Sequence, residues 1–180
     1  AGPHYAIGAV LGQQVGANLF HSFSQFGVAT GGSATFSGPA GVSNILARVT
    51  GGAASSIDGV LRSTVAGANL YLINPKGILF GPNASLDLTG SFHATTADYV
   101  RLADGGRFDA TNPGASVLTS APPAAFGFLG PAAGPITVQG STLAVPEGAS
   151  ISLVGGPVSL DGATVATTGG DIRLVAAGGA

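Results

Sequence analysis

Six charged residues in the middle of the chain form the group whose chemistry best suits a carbohydrate-processing site. They are Asp87, Asp98, Asp104, Asp109, Arg101 and Arg107. Enzymes that cleave polysaccharides use carboxyl groups as general acid, general base or nucleophile, often beside a basic residue. These acids form no tight D-x-D cluster, and turn formation and solvation explain them more simply. We therefore predict no catalytic residues and no enzymatic activity.

The histidines lack the spacing of a metal site. His4, His21 and His93 are far apart, and none belongs to an H-x-x-H or E-x-x-H pattern. The chain contains no cysteine, which excludes disulfide bonds and thiolate ligands. The patterns of a serine nucleophile elbow and of a phosphate-binding loop are also absent. We predict neither a metal site nor a cofactor.

The segment Asn74-Pro75-Lys76-Gly77 has the residue types of a tight turn. Proline fixes φ near about −65° and suits the second position of a β-turn. The Asn74 side chain can bond the backbone two residues further on, and Gly77 can adopt a positive φ without cost. On this chemistry alone, the segment is a turn between two strands.

The composition argues against nucleic acid and membrane surfaces as partners. Of the 180 residues, 45% are hydrophobic and only 8% are charged, with a net charge of −2. Nucleic acid binding requires several cations that neutralise phosphates, and anionic lipids require a basic cluster. The 6 Lys and Arg residues are spread along the chain and form neither arrangement.

Short strands must position these residues. The 31 glycines and 11 prolines indicate many turns, and many turns imply many short strands. Alternation predicts a strand at 69–73, with Leu70 and Leu72 on one face and Tyr71 and Ile73 on the other. Helical periodicity is nearly absent, although residues 43–49 fit a short helix as well as they fit a strand.

The last third of the chain has the most regular spacing. Strand nuclei begin at Ile136, Leu143, Ile151, Val158, Thr164 and Ile172. Three successive strands therefore use about 21 residues, a length suited to one coil of a three-sided solenoid. Because a sandwich has wider spacing and hairpin turns, an all-β, right-handed parallel β-helix is favoured. The hairpin signal Asp161-Gly162 keeps the sandwich as an alternative.

The ends of such a stack carry unpaired backbone groups that need protection. We predict a single domain at 1–180, with an N-terminal β cap at 1–36 and β-helix coils at 37–180. The last residues, 174–180, have no cap-like polar character. We therefore expect the chain to be the N-terminal fragment of a longer protein.

Four segments resemble one family of bacterial proteins. They are 16–26 (GANLFHSFSQF), 45–52 (ILARVTGG), 56–59 (SIDG) and 68–92 (ANLYLINPKGILFGPNASLDLTGSF). Their order and spacing are similar to those of the two-partner secretion (TPS) domain of filamentous-haemagglutinin-like exoproteins, also called the haemagglutination activity domain. The resemblance extends over nearly the whole chain.

This resemblance implies a fold, a location and a partner. Such domains are right-handed parallel β-helices with an N-terminal β cap and small extra-helical strands. They pass through the periplasm of Gram-negative bacteria and address large exoproteins to an outer-membrane transporter whose POTRA domains bind them. Outside the cell they seed folding of the exoprotein. We accordingly expect a monomeric, secreted or cell-surface protein.

The family's secretion motif, Asn-Pro-Asn-Gly, is matched at Asn74, Pro75 and Gly77. Lys76 replaces the usual third residue, which puts the role of that side chain in doubt but not the turn. The predicted transporter-recognition motif therefore consists of Asn74, Pro75 and Gly77. A second family motif, Asn-Pro-Asn-Leu, is not evident, which places the chain in another subgroup.

The segment 16–26 supplies a second set of candidate recognition or cap residues. They are Asn18, Phe20, Phe23 and Phe26. The phenylalanines recur at every third residue. They either pack in the core of the cap or form an apolar strip that an unfolded chain presents to the transporter, which would bind it by β-augmentation.

Three functions follow from these residues. The leading hypothesis is a secretion-targeting domain that also nucleates β-helix folding during translocation. The alternative is an adhesin module that binds host or surface glycans directly, supported by the surface rich in Gly, Ser and Thr. The third, a polysaccharide-active β-helix enzyme, depends on the six charged residues described first.

Overall fold

The computed structural model describes residues 2–177 and consists almost entirely of β-strands. Within that range the helical segments are two short 3-10 turns, Ala9–Leu11 and Pro113–Ala115, and no helix is long and apolar enough to cross a membrane. In chain order the strands are β1 (His4–Ile7), β2 (Gln13–Val15), β3 (Asn18–Phe23), β4 (Ser33–Phe36), β5 (Asn44–Val49), β6 (Ser55–Ile57), β7 (Val60–Ser63), β8 (Asn69–Ile73), β9 (Ile78–Phe80), β10 (Ser85–Asp87), β11 (Phe92–Thr95), β12 (Tyr99–Leu102), β13 (Arg107–Asp109), β14 (Pro123–Gly127), β15 (Ile136–Gln139), β16 (Thr142–Ala144), β17 (Ile151–Gly155), β18 (Val158–Asp161), β19 (Thr164–Ala166) and β20 (Ile172–Ala176).

Most strands stack in parallel to form three faces. The first face has the order β1-β4-β7-β10, and β16 and β19 continue it. The second face is β3-β5-β8-β11-β17-β20, and the third is β6-β9-β15-β18. The chain visits the three faces in turn, for example through β4, β5 and β6 and then β7, β8 and β9. This order, with parallel pairing between coils, is that of a three-sided β-helix, as predicted.

The strand register confirms the repeat read from the last third of the sequence. Ile151 pairs with Ile172, 21 residues further on. Each predicted strand nucleus is the first or second residue of an observed strand. The sandwich alternative is wrong, because β18 pairs in parallel with β15 and forms no hairpin across Asp161-Gly162. Gly162 instead turns a corner of the coil with φ of 58°, a conformation that glycine adopts without steric cost.

Side-chain alternation divides the apolar residues between two clusters. The inward side chains of all three faces fill the solenoid interior, including Leu70 and Leu72 of β8. The outward side chains of the same strand, Tyr71 and Ile73, belong to a separate cluster outside the solenoid. The predicted division of this strand into two faces is therefore confirmed, and both faces are buried.

The outer cluster exists because the chain leaves the solenoid between β11 and β15. This extra-helical segment (residues 96–135) forms a small antiparallel sheet with the order β13-β12-β14. Val100 and Phe108 from this sheet pack against Phe20 and Leu46 of the second face. The expected extra-helical strands thus form a second layer over β3, β5 and β8.

The helical alternative at residues 43–49 is wrong, because this segment contains β5. Its inward side chains, such as Ile45 and Ala47, enter the solenoid, and Leu46 enters the outer cluster. A strand buries alternate residues on opposite sides, whereas a single helix would bury only one stripe. Two-sided burial therefore outweighs the local helical propensity.

The N-terminal residues of the described chain contribute both coil strands and an edge strand. β1 and β4 lie in the first face and β3 in the second, each in parallel register with its neighbour. β2 is antiparallel to β3 and ends the second face. The division into a cap at 1–36 and coils at 37–180 stays a prediction.

Candidate functional site

The predicted secretion motif forms a tight turn between β8 and β9. The Gly77 N–H donates to the carbonyl of Asn74 at 3.1 Å, which closes a β-turn. The Lys76 N–H donates to Asn74 Oδ1 at 3.0 Å, which forms the Asx-turn expected from the sequence. Gly77 has φ of 122°, a left-handed conformation that favours glycine. The residue types therefore account for the local backbone.

The carboxamide of Asn74 also joins this turn to the preceding coil. Its Nδ2 donates to the carbonyl of Ala53 at 3.1 Å and to Ser55 Oγ at 3.0 Å. The whole residue is 0% exposed, so each of these groups would lose a partner in a buried place if the side chain were removed. Asn74 thus holds together two segments that are distant in sequence.

The end of the extra-helical segment packs just as closely on the other side of the turn. The Gly134 N–H donates to the carbonyl of Pro75 at 3.1 Å. A Cβ atom on Gly134 would lie 2.5 Å from the backbone nitrogen of Gly77, closer than side chains approach backbone. Lys76, by contrast, is exposed. The substitution of Lys for the family's Asn therefore falls on the member of the motif that faces solvent.

The three candidate phenylalanines do not form one strip in the folded domain. Phe20 points outward from β3 and packs against Phe108, with ring centroids 4.9 Å apart. Phe23 points inward, and Phe26 lies beyond the end of the strand with its ring 5.1 Å from that of Phe23. The period-three spacing does not survive folding because strand side chains alternate with period two.

Asn18 begins a ladder of hydrogen-bonded amides on the second face. Asn44 Nδ2 donates to Asn18 Oδ1 at 2.9 Å, and Asn69 Nδ2 donates to Asn44 Oδ1 at 3.2 Å. Asn18 Nδ2 donates to the carbonyls of Thr119 and Ala121 in the extra-helical segment. The structure thus places Asn18 where it ties the second layer to the coils, a contact that links residues about 100 positions apart.

The six charged residues considered for polysaccharide chemistry are spread over two parts of the fold. Asp87 lies on the first face and forms an ion pair with Arg62 at 2.6 Å. The others lie in or beside the extra-helical sheet. Within residues 2–177, no three His, Asp or Glu side chains form a group that could hold a metal ion.

Asp109 is the most buried of these acids, and its contacts stabilise a turn. Burial disfavours its charged form, but hydrogen bonds from the Asn112 N–H, Arg107 and Thr111 outweigh burial and lower its pKa below the ordinary value. Arg48 of β5 donates to the carbonyl of Asp109 at 2.6 Å. This network anchors the second layer to the coils.

Sequence reasoning missed a groove beside the second layer. It measures ≈ 560 Å³ and lies between β14 and the outward side chains of β11, β17 and β20. His93 pairs in register with Tyr71 on one side and Ser152 on the other, and its Nδ1 lies 2.6 Å from Ser152 Oγ. Burial, with the positive charge of Arg173, lowers the pKa of His93 to about 4. Only the strand register brings these residues together, so no local motif could have shown them.

Comparison with known proteins identifies the family of the chain. The sequence model of the TPS secretion domain matches residues 4–180. Over 59 residues the chain is 42% identical to a heme/hemopexin-binding protein of Haemophilus influenzae, a match that covers 33% of this chain and 6% of that protein. The chain thus spans a small part of the length of the curated relative. No solved structure matches significantly. With the motif match and the β-helix already described, these findings show that the chain belongs to the TPS secretion domain family.

Proposed function

We propose that this domain directs a large exoprotein of a Gram-negative bacterium from the periplasm to its outer-membrane transporter, and that it then nucleates β-helix folding outside the cell. Membership of the TPS secretion domain family supports the targeting role. The parallel stack supports the nucleating role, because each coil offers an edge on which the next coil can pair. The exoprotein is secreted or held at the cell surface.

The observation that carries this proposal is the burial of Asn74. Its carboxamide is 0% exposed, so a transporter can contact it only in a chain that has not yet folded. The same carboxamide then bonds Ala53 and Ser55 of the preceding coil. We therefore assign the motif two successive tasks: the POTRA domains read it in the extended chain, and its burial then joins two coils during folding.

The phenylalanines fit the same order of events. In the folded domain, Phe20 lies in the outer cluster and Phe23 packs against the interior. An extended chain offers these side chains, with Phe26, along one accessible segment. A strand of the transporter's POTRA domain could then bind that segment by β-augmentation, with main-chain hydrogen bonds for affinity and pockets for the rings.

The test is export of the exoprotein when it is produced together with its transporter. Asn74→Ala should lower the secreted fraction roughly 10-fold or more, because a carboxamide that makes two hydrogen bonds of about 1 kcal/mol each with the POTRA domains loses at least that factor in binding when it is removed. Secreted and periplasmic amounts are measured by immunoblot. Lys76→Ala is the matched control, because that residue is exposed and should be exported normally.

Ser55→Ala separates recognition from folding. It removes one partner of Asn74 in the folded domain but leaves the motif intact in the extended chain. Binding of the purified POTRA domains to chain freshly diluted from denaturant should fall for Asn74→Ala and stay unchanged for Ser55→Ala. Normal export of Asn74→Ala would show that the motif is no more than a turn.

Direct glycan binding stays a prediction, and a glycan array with the isolated domain would check it.

A further inference from the structure

The interior of the solenoid contains a histidine whose ring nitrogens make no well-formed hydrogen bond, although the Leu11 carbonyl lies near the ring. His21 lies on the inward side of β3 and is 1% exposed. Neither of its ring nitrogens makes a hydrogen bond with any described residue. Nearly all buried polar groups in folded proteins are hydrogen-bonded, so this side chain stands out among the interior residues.

The ring is enclosed by an aromatic cluster, namely Phe23, Phe26 and Phe36. Its centroid lies 5.6 Å from that of Phe36 and 6.1 Å from that of Phe23. On the remaining side the backbone of Gly12 packs on the imidazole, and a Cβ atom there would lie 2.8 Å from Nδ1 and Cε1. The site therefore has no room for water beside the Gly12 face of the ring.

No charged side chain of the packed elements faces this ring. β2, β4 and the 9–11 turn contain no charged residue. β5 places Ala47 opposite His21 and turns its one charged residue, Arg48, to the outer face, where it bonds Asp109. Burial lowers the pKa of His21 below its ordinary value of 6.5, and the nearby Leu11 carbonyl offsets only part of that effect.

The cover over His21 has few buried contacts. It consists of the short turn Ala9–Leu11 and the edge strand β2. Within the described chain, β2 pairs only with β3, and Val10 and Leu11 are 94% and 64% exposed. Segments with few buried contacts open at the lowest free energy. Opening of residues 8–15 would therefore bring water to the imidazole.

We propose that His21 is a pH-sensitive switch: its protonation favours opening of residues 8–15, which uncovers the aromatic cluster while the rest of the β-helix stays folded. This inference does not depend on the proposed secretion role. It follows from an enclosed imidazole without a well-formed hydrogen bond and from a cover with few buried contacts. In acid, the domain would expose more of the half-buried Phe23 and Phe26 from an otherwise intact solenoid.

The direction and size of the effect follow from proton linkage. The closed state has a depressed pKa, so it is fully stable above the pKa of the exposed ring and loses stability as the pH falls below that value. We take a pKa of about 6.5 for the imidazole in the open state and a neutral imidazole in the closed state. The equilibrium constant for opening then rises by up to about 10-fold as the pH falls from 7.5 to 5.5.

Hydrogen exchange read by mass spectrometry tests this proposal. Protection factors, corrected for the intrinsic pH dependence of exchange, are compared across peptides at pH 7.5 and pH 5.5. In the wild-type domain, residues 8–15 should lose up to about 10-fold in protection, while β8 and β11 change little. His21→Leu should abolish the response, whereas His4→Gln should retain it, because His4 is exposed on the first face.

The wild-type domain also supplies a readout that needs no substitution. The imidazole resonance of His21, followed by NMR, should titrate together with the backbone signals of residues 8–15. Unchanged protection of this segment at pH 5.5 would overturn the proposal, as would a response that persists in His21→Leu. If His21→Leu fails to fold, titration of the ring without any change in residues 8–15 would overturn it equally.

Discussion

Replacing Asn74 tests how strongly the motif turn stabilises the fold. Asn74→Ala removes the two bonds donated by Nδ2 and the bond accepted by Oδ1. Each bond contributes about 1 kcal/mol, and the buried groups left behind add a desolvation penalty. We expect the free energy of unfolding to fall by about 2–4 kcal/mol, a large part of the roughly 5–15 kcal/mol typical of a domain.

Equilibrium unfolding in urea measures this loss. With a slope of about 2 kcal/mol per M, the midpoint of Asn74→Ala should drop by about 1–2 M relative to the wild type. Ser55→Ala breaks only the contact with Ser55 Oγ and should lose about 1 kcal/mol. Lys76→Ala should leave the midpoint unchanged, because that side chain is exposed.

Asn74→Asp adds a test of which atoms the side chain faces. A carboxylate could still accept from Lys76, but it would point an acceptor at the Ala53 carbonyl. Burial beside that carbonyl would raise its pKa above the roughly 3.9 of an unfolded Asp. The fold then favours the protonated carboxyl group, and it loses stability as pH rises and that group must ionise. The stability difference from the wild type should therefore grow as pH rises from 4 to 7.

Two results would refute this reasoning. A midpoint loss below about 0.3 M for Asn74→Ala would mean that its hydrogen bonds add almost nothing to stability. A stability difference for Asn74→Asp that does not change with pH would mean that the carboxamide nitrogen does not face buried acceptors.

Two further predictions concern the close approach at the motif and the network of the second layer. Gly134→Ala should lose about 1–3 kcal/mol in thermal unfolding, because its Cβ would lie 2.5 Å from the Gly77 nitrogen. Gly130→Ala, with open space around its Cβ, should not change, and equal loss in both would contradict the geometry. Asp109→Asn should be less stable than the wild type in urea at pH 7. This difference in stability should shrink towards pH 3, because the lowered pKa means that the ionised carboxylate stabilises the fold, and protonation removes that stabilisation. A stability difference that does not change with pH would show that the charge of Asp109 does not contribute to stability.

Local chemistry made the coils and the motif turn predictable. The strands of the last third follow one another at short, regular intervals, so their alternation and corner glycines are visible within a few residues. The turn at Asn74 follows from the conformations that Asn, Pro and Gly each favour. These signals need no knowledge of which strand lies beside which.

The second layer and the burial of the motif depend on contacts between distant residues. The spacing groups Phe20 with Phe23 and Phe26, yet the aromatic partner of Phe20 is Phe108, far along the chain. Asn74 bonds residues 53 and 55, and Gly134 approaches it from the opposite side. Strand register and the path of the extra-helical segment decide these contacts, and neither is encoded in a short window.

The position of the second layer sets a minimum length of chain for a protected domain. The outward side chains of β3, β5 and β8, including Phe20 and Leu46, are covered by a sheet that begins only at β12 and ends with β14. A chain that emerges with its N-terminus first therefore completes these strands while the apolar side chains of their outer face are still exposed to solvent. A product shortened before residue 96 would keep that face uncovered, and we expect it to self-associate more strongly than the whole domain.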